Sequence, residues 1–330
     1  MDSQHQAQPT PKANRDPLVV FTICANNFLA SAKTLYHSLL SQHRNLQFYL
    51  ILCDEPDPTL NDELPFDVTD LYQLGIPNLS SMIERYNITE LNTALKPFAF
   101  LWLAMRYPNQ MIYYFDPDIL VMSPLEELIK LTQDNNVNCV LTPHLLEPAE
   151  FAEMDEYRIL AYGTFNLGFL GLRITPTTLR VLSWWSRRLE ERCVIDTQRQ
   201  LFVDQRWADL FPSFIEGTTV LHHPGYNVAY WNLAQRSLSL TCHTDGQLRW
   251  SVNGAPLRFF HFSGSVLRHP LIFSRHSTQF TLGQDDDLDR LYHYYVDLVE
   301  YNGLRRYQNI PYAFSWSGIA GLNEHTPSST

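Results

Sequence analysis

Two aspartates separated by one proline, Asp116 and Asp118, follow the apolar run Met111–Phe115 in the segment MIYYFDPDILV. Two like charges close together at the end of a buried strand are costly unless a cation or a shared proton compensates them. A hard divalent cation such as Mn²⁺ or Mg²⁺, held by one or two carboxylates and completed by phosphate oxygens, suits such a pair. Pro117 stiffens the turn and keeps both carboxylates directed outward. Turn chemistry ahead of a helix at Pro124 is the competing reading of the same residues.

Other chemistry-bearing groups follow downstream. FNLGF joins the amide of Asn166 to Gly168 in a strand that glycines interrupt, as a β-bulge would. VDQ supplies Asp204 and Gln205, which by themselves read as an exposed helix turn. HFSG supplies His261 and Gly264, and a histidine among Phe259, Phe260 and Phe262 is ordinarily a satisfied core residue. HHPGYNVAYWN gathers Tyr226, Asn227, Tyr230, Trp231 and Asn232, whose aromatic faces and amide edges suit a sugar ring or equally a packed turn. WWSRR reads as a helix with a core tryptophan and a solvated basic face, and takes no site role.

These groups need a frame. LVVFTICA reads as a strand, Asn26 and Asn27 as a helix cap, and FLASAKTLYHSLLSQH as a helix with Leu35, Leu39 and Leu40 at helical spacing. LQFYLILCD is a second strand, apolar enough to be buried on both faces, so a βαβ unit and a mostly parallel sheet are expected. In such a sheet ligands bind beyond the carboxyl ends of the strands, where Asp116 and Asp118 fall. A helix with Phe98, Leu101, Trp102 and Met105 turned inward leads to MIYYF, a third strand. Ser123 and Pro124 read as the cap and first residue of a helix running to Gln133. NCVLTPH and FNLGFLGLR are strands, and TTLRVLSWWSRRLEERC an amphipathic helix. Asp245-Gly246 and Asn253-Gly254 suit two-residue hairpins, which adds an antiparallel element. A last helix starts in the acidic run at Asp285 and stops at Gly303. A polar, disordered tail over 1–17, one domain over 18–303 and an extension over 304–330 are expected.

The bulk composition of the 330 residues excludes several classes. A formal charge of -11 without a dense basic run repels phosphate backbones, so nucleic acid is not an expected partner. Five scattered cysteines with no C-x-x-C pair read as reduced thiols of a cytoplasmic protein, and the sequons at Asn78 and Asn87 then carry little meaning. The start has no apolar core of a signal peptide, and the longest apolar run, Pro97 to Met105, is far short of the ~20 residues that cross a bilayer. No transmembrane segment is expected, while exposed aromatics leave peripheral membrane attachment open.

The order of these motifs, over residues 18 to 270, resembles glycosyltransferase family 8, the family of glycogenin and the bacterial lipopolysaccharide galactosyl- and glucosyltransferases. The resemblance implies an α/β GT-A fold: a Rossmann-like, mostly parallel central sheet flanked by helices, with a smaller antiparallel element and a C-terminal helix. It implies that Asn26, with Thr22, Ala25 and Phe28, holds the donor nucleoside, and that Lys96 in ALKPF reaches the donor. Asp116, Pro117 and Asp118 would form the D-x-D turn on the diphosphate, with His261 completing the Mn²⁺ (or Mg²⁺) site. Asn166 and Gly168 would line the donor sugar, Asp204 and Gln205 would lie beside the reacting carbon, and Gly264 would hold phosphate. Where the family reads K-P-W, this sequence has SVLRHP, and Arg268 is the candidate phosphate-binding residue.

The reaction so implied is metal-dependent, retaining transfer of a hexose from a nucleotide sugar, UDP-sugar foremost, to a hydroxyl on a glycan, lipid-linked saccharide or protein, as in polysaccharide biosynthesis. Three other readings share features with it. A haloacid dehalogenase-like phosphatase also has a D-x-D strand end, but the fifth position is Leu120 and the later acidic run opens a helix. A nucleotidyltransferase normally opens with a Gly-rich loop, and FTICANNFL has no glycine. A non-catalytic nucleotide- or sugar-binding protein is the third.

Overall fold

The apolar runs of the sequence become the strands of one seven-stranded sheet. The computed structural model describes residues 17–61, 63–148 and 156–314. The expected tail lies outside these residues except for Pro17, as does the extension beyond Phe314. Strands β1 (Leu18–Cys24), β2 (Leu46–Leu52), β3 (Asp67–Asp70), β4 (Met111–Phe115), β6 (Cys139–Pro143), β7 (Phe165–Arg173) and Thr218–Val220 form the sheet, while β5 (Ile119–Val121) stands apart from it. From one edge to the other the order is Thr218–Val220, β6, β7, β4, β1, β2, β3.

Alternating side chains of the central strands feed two cores. Phe21, Ile112 and Tyr114 face the helices Lys96–Ala104 and Pro176–Arg192, with Trp185 at the centre. Val20, Tyr113 and Phe115 face the opposite side, with Leu35 and Leu39 of the helix Leu29–Gln42. A third cluster joins that helix to the C-terminal helix Asp286–Tyr301 and the hairpin strands Leu238–Cys242 and Leu248–Val252. Burial on both faces is why the strands read as continuous apolar runs.

Strand β7 decides the site. It runs antiparallel to both neighbours, β4 and β6, while the other pairs in the sheet are parallel. Its first residues therefore lie where β4 ends: Phe169 pairs with Phe115, and Asp116 N donates to Gly168 O at 2.7 Å. The second device is a two-stranded antiparallel pair in which Phe259–His261 lies along β5, setting His261 opposite Ile119.

Local expectations were corrected at several points. Ser123 does not cap a helix; the helix spans Glu126–Thr132, and Ser123 Oγ donates to Leu257 O. Met105 is 76% exposed because the preceding helix ends at Ala104, so helical spacing no longer aims its side chain. Asn26 sits in a 3₁₀ turn, and its amide donates to Glu55 O instead of capping. Asp245-Gly246 lies in a loop longer than two residues, since Cys242 pairs with Leu248. Asn253-Gly254 does form the tight turn, between paired Val252 and Ala255, with φ of 50° and 78°; left-handed backbone at both positions is what this turn requires.

The described part of the extension packs onto the domain. Leu304 and Tyr307 of the short helix Leu304–Tyr307 are buried, and Ala313 N donates to Asp54 Oδ1 at 2.9 Å. Among the described residues no helix is long and apolar enough to cross a membrane.

Candidate functional site

Asp116 and Asp118 lie in the turn between β4 and β5, closed by a bond from Ile119 N to Asp116 O. The β5 pairing brings His261 to them, with Nε2 3.1 Å from Asp118 Oδ1 and 3.5 Å from Asp116 Oδ2. One ligand atom from each of the three lies within 4.8 Å of the others. Phe262 N donates to Asp118 O, which ties the two segments a second time. Burial works to lower the His261 pKa, and the carboxylates of Asp118 and Asp116 overcome it, so the net shift is upward. Two carboxylates and an imidazole form a mixed oxygen and nitrogen donor set that fits Mn²⁺, and Mg²⁺ less well. The Tyr114 hydroxyl donates to Asp116, orienting that carboxylate.

Beside this cluster is a buried ion pair. Lys96 opens its helix just after the helix Ile88–Ala94, and its ammonium reaches Asp204 Oδ2 at 2.8 Å and Leu167 O at 2.8 Å. It also lies 4.0 Å from Asp116 Oδ1 and 4.4 Å from the centre of the Tyr114 ring. Burial pushes the Asp204 carboxyl up, and Lys96 opposes that rise. The pair links the D-x-D turn to the VDQ segment through one cation.

Between β6 and β7 the register shifts from Leu141↔Leu170 to Pro143↔Phe165, so Asn166, Leu167 and Gly168 leave the β6 ladder. Side chains take over the freed groups. Gln205 Oε1 accepts from Leu167 N at 3.2 Å, while Gln205 Nε2 donates to Tyr162 O at 2.8 Å. Asn166 Oδ1 accepts from Gly168 N at 3.0 Å and from Asn227 Nδ2 at 3.0 Å. A Cβ on Gly168 would lie 2.3 Å from the His261 ring, so only glycine leaves room for that ring. The bulge reading of FNLGF holds, and the same bulge sets Asn166 and Gly168 beside His261.

The expected residues do not all meet. Thr22, Ala25 and Asn26 lie buried at the carboxyl end of β1, with Asn26 N on Asp54 Oδ2 at 3.1 Å, and Phe28 beside them is 43% exposed. In the aromatic loop, Tyr226 points away from the acids: its hydroxyl donates to Glu127 and accepts from Leu128 N. Asn227 and Asn232 are fully buried, Trp231 packs edge-on against His261 at 5.2 Å, and Tyr230 stays half-buried beside His276. Gly264, at φ 68°, lies under the His276 ring. Arg268 is paired with Glu300 of the C-terminal helix.

Three further residues belong to the cluster. Tyr114 touches both Asp116 and Lys96. His144, at the end of β6, is buried, and burial depresses its pKa to about 4 against weaker opposition from backbone carbonyls. Its Nε2 lies 3.4 Å from Asn166 Nδ2. Thr142 Oγ1 accepts from Asn227 Nδ2 at 2.8 Å. Tyr114 and His144 flank strand ends in the sequence, which was the available signal; Thr142 gave none.

No family model matches the chain. Two proteins of Bacillus subtilis (strain 168) are similar to it: YfnD, 25% identical over 253 residues, 74% of this chain and 77% of that one, and YfnF, 24% identical over 251 residues, 74% and 80%. Both are described as uncharacterized. Among solved structures, that of the galactosyltransferase LgtC with donor and acceptor sugar analogues superposes with a TM-score of 0.51 at 15% identity, over 86% of this chain and 95% of that one. With its single reversed strand and its acid-bearing turn after β4, the chain has the GT-A glycosyltransferase fold and, within that fold, resembles glycosyltransferase family 8.

Proposed function

We propose that the protein is a metal-dependent glycosyltransferase that moves a hexose from a UDP-sugar or related nucleotide sugar to a hydroxyl on a glycan, lipid-linked saccharide or protein. The observation that carries this reading is the convergence of Asp116, Asp118 and His261 at the carboxyl end of β4, with the Lys96–Asp204 pair alongside. A bound Mn²⁺ would neutralise charge on the diphosphate as it leaves. Lys96, already held in place, adds a positive charge on the same side. Asn166 and Gln205 orient the sugar, and the buried Asp204 carboxylate supports positive charge at the anomeric carbon. Retention of configuration follows the family resemblance. Tyr230, the one aromatic-loop residue named above that keeps partial exposure, is the acceptor-facing candidate. A cytoplasmic location suits the free cysteines Cys24, Cys53, Cys139, Cys193 and Cys242.

The test is a panel of nucleotide sugars screened for Mn²⁺-dependent hydrolysis without acceptor, alongside calorimetry of UDP with and without Mn²⁺. Metal-dependent UDP binding with donor hydrolysis that D118A abolishes supports the proposal. Full activity in D118A refutes it. Preference for nucleoside triphosphates points to a nucleotidyltransferase, and binding without turnover to a non-catalytic protein.

A further inference from the structure

We propose that Asn227 is a positioning residue for the candidate cation site: its amide oxygen holds the Nδ1–H of His261 and so leaves Nε2 bare toward Asp116 and Asp118. This rests on the cation reading above and gives Asn227 a role other than sugar contact.

The assignment follows from one fixed point. Gly168 N is a backbone donor, so the Asn166 side-chain atom 3.0 Å from it is the oxygen. The Asn227 atom 3.0 Å from that oxygen must therefore donate, and it is Nδ2, which also reaches Thr142 Oγ1 at 2.8 Å. The remaining Asn227 atom is Oδ1, 3.3 Å from His261 Nδ1. An amide oxygen only accepts, so Nδ1 carries the proton, and a neutral imidazole then has its lone pair on Nε2. Nε2 is the atom that faces Asp118 and Asp116. The opposite tautomer would set the Nδ1 and Oδ1 lone pairs against each other where Asn227 is 0% and His261 3% exposed, whereas the Nε2 lone pair facing Asp118 and Asp116 is relieved once a cation lies between them.

The backbone is committed to the same end. Asn227 has a φ of 51°, in the left-handed region that asparagine tolerates better than most residues. Asn232, itself fully buried, donates to Asn227 O at 3.0 Å and accepts from Ala229 N at 3.0 Å, locking the turn. On the other side His261 N donates to Val228 O at 2.7 Å. One amide thus sets the ring that faces the acids and the Asn166 amide that faces the sugar subsite, and Oδ1 is the part that matters for metal.

The experiment is an electron paramagnetic resonance titration of the full chain with Mn²⁺ alone, for wild type, N227A, N227D and D118A, with unfolding measured in parallel. Losing a partner that orients a metal-ligating histidine costs roughly 10–100-fold in affinity, the drop expected for N227A. N227D keeps an acceptor on Nδ1 and loses the donor to Asn166, so it falls in stability while holding wild-type Mn²⁺ affinity or better. A purely structural residue would lose both in step. Wild-type affinity in N227A, or N227D weakened as far as N227A, overturns the inference. If D118A also binds Mn²⁺ normally, the cation reading has failed; if D118A alone loses binding, only the role of Asn227 has. A nitrogen-15 spectrum of histidine-labelled wild-type protein in excess Mg²⁺, a diamagnetic stand-in for Mn²⁺, decides the matter even if N227A does not fold: a protonated Nδ1 on His261 supports the inference and a bare Nδ1 overturns it.

Discussion

Lys96 Nζ lies 2.8 Å from Asp204 Oδ2, and both side chains are 2% exposed. Breaking such a pair by removing one partner leaves an uncompensated buried charge and costs about 3–5 kcal/mol. K96M should therefore be strongly destabilised in urea unfolding, and K96M/D204N should recover part of the loss. A cost under about 1 kcal/mol for K96M would show that the pair is not buried in solution.

Gly168 is the close-approach point for the His261 ring. A methyl group there would lie 2.6 Å from His261 Nδ1 and 2.8 Å from Asn166 Oδ1. G168A is expected to cost about 1–3 kcal/mol by overpacking and to weaken Mn²⁺ binding by displacing the ring. G171A, whose new methyl meets the Tyr113 ring at 3.1 Å and no site residue, should leave Mn²⁺ affinity unchanged. Equal affinity in both variants would contradict the placement of His261.

His144 gives stability a pH dependence with a definite sign. Its folded pKa is about 4, below the ordinary 6.5, because burial disfavours the imidazolium. As pH falls through this window the unfolded chain takes up a proton that the folded chain refuses, so stability drops by up to about 1.4 kcal/mol per pH unit. Above the window the group contributes no slope. Urea unfolding of wild type and H144Q at pH 7 and pH 5 checks this: wild type should lose more than the variant between the two, and parallel losses would refute it.

A cation bound at the proposed Asp116, Asp118 and His261 site should stabilise the fold. Mn²⁺ at about 100 times its dissociation constant adds about 2.7 kcal/mol if the unfolded chain does not bind it. Thermal unfolding of wild type should shift upward with Mn²⁺ and return with a chelator, whereas D118A should not respond. An equal shift in D118A would place the metal elsewhere.

The strand runs, the principal helices and a carboxylate pair at a strand end were all legible in the sequence, because burial periodicity and turn chemistry are written within a few residues. The Asn253-Gly254 turn and the Gly303 stop were legible for the same reason. The order of FNLGF, VDQ and HFSG after the acids pointed to one site only through its resemblance to a known family, and composition could not say which groups would touch.

Tertiary structure decided those contacts. An alternating apolar strand reads the same in both directions, so nothing in FNLGFLGLR announces that β7 runs against its neighbours and brings Asn166 and Gly168 to the end of β4. Nothing near HFSG announces its pairing with β5, which turns a histidine among phenylalanines toward two aspartates. Long-range packing also sent Tyr226 to Glu127 and Arg268 to Glu300, away from the roles their motifs suggested. Sequence spacing reports which side chains share a face of one element; only the packing of elements fixes which faces meet, and this site is made where β4, β7 and the segment Phe259–His261 converge.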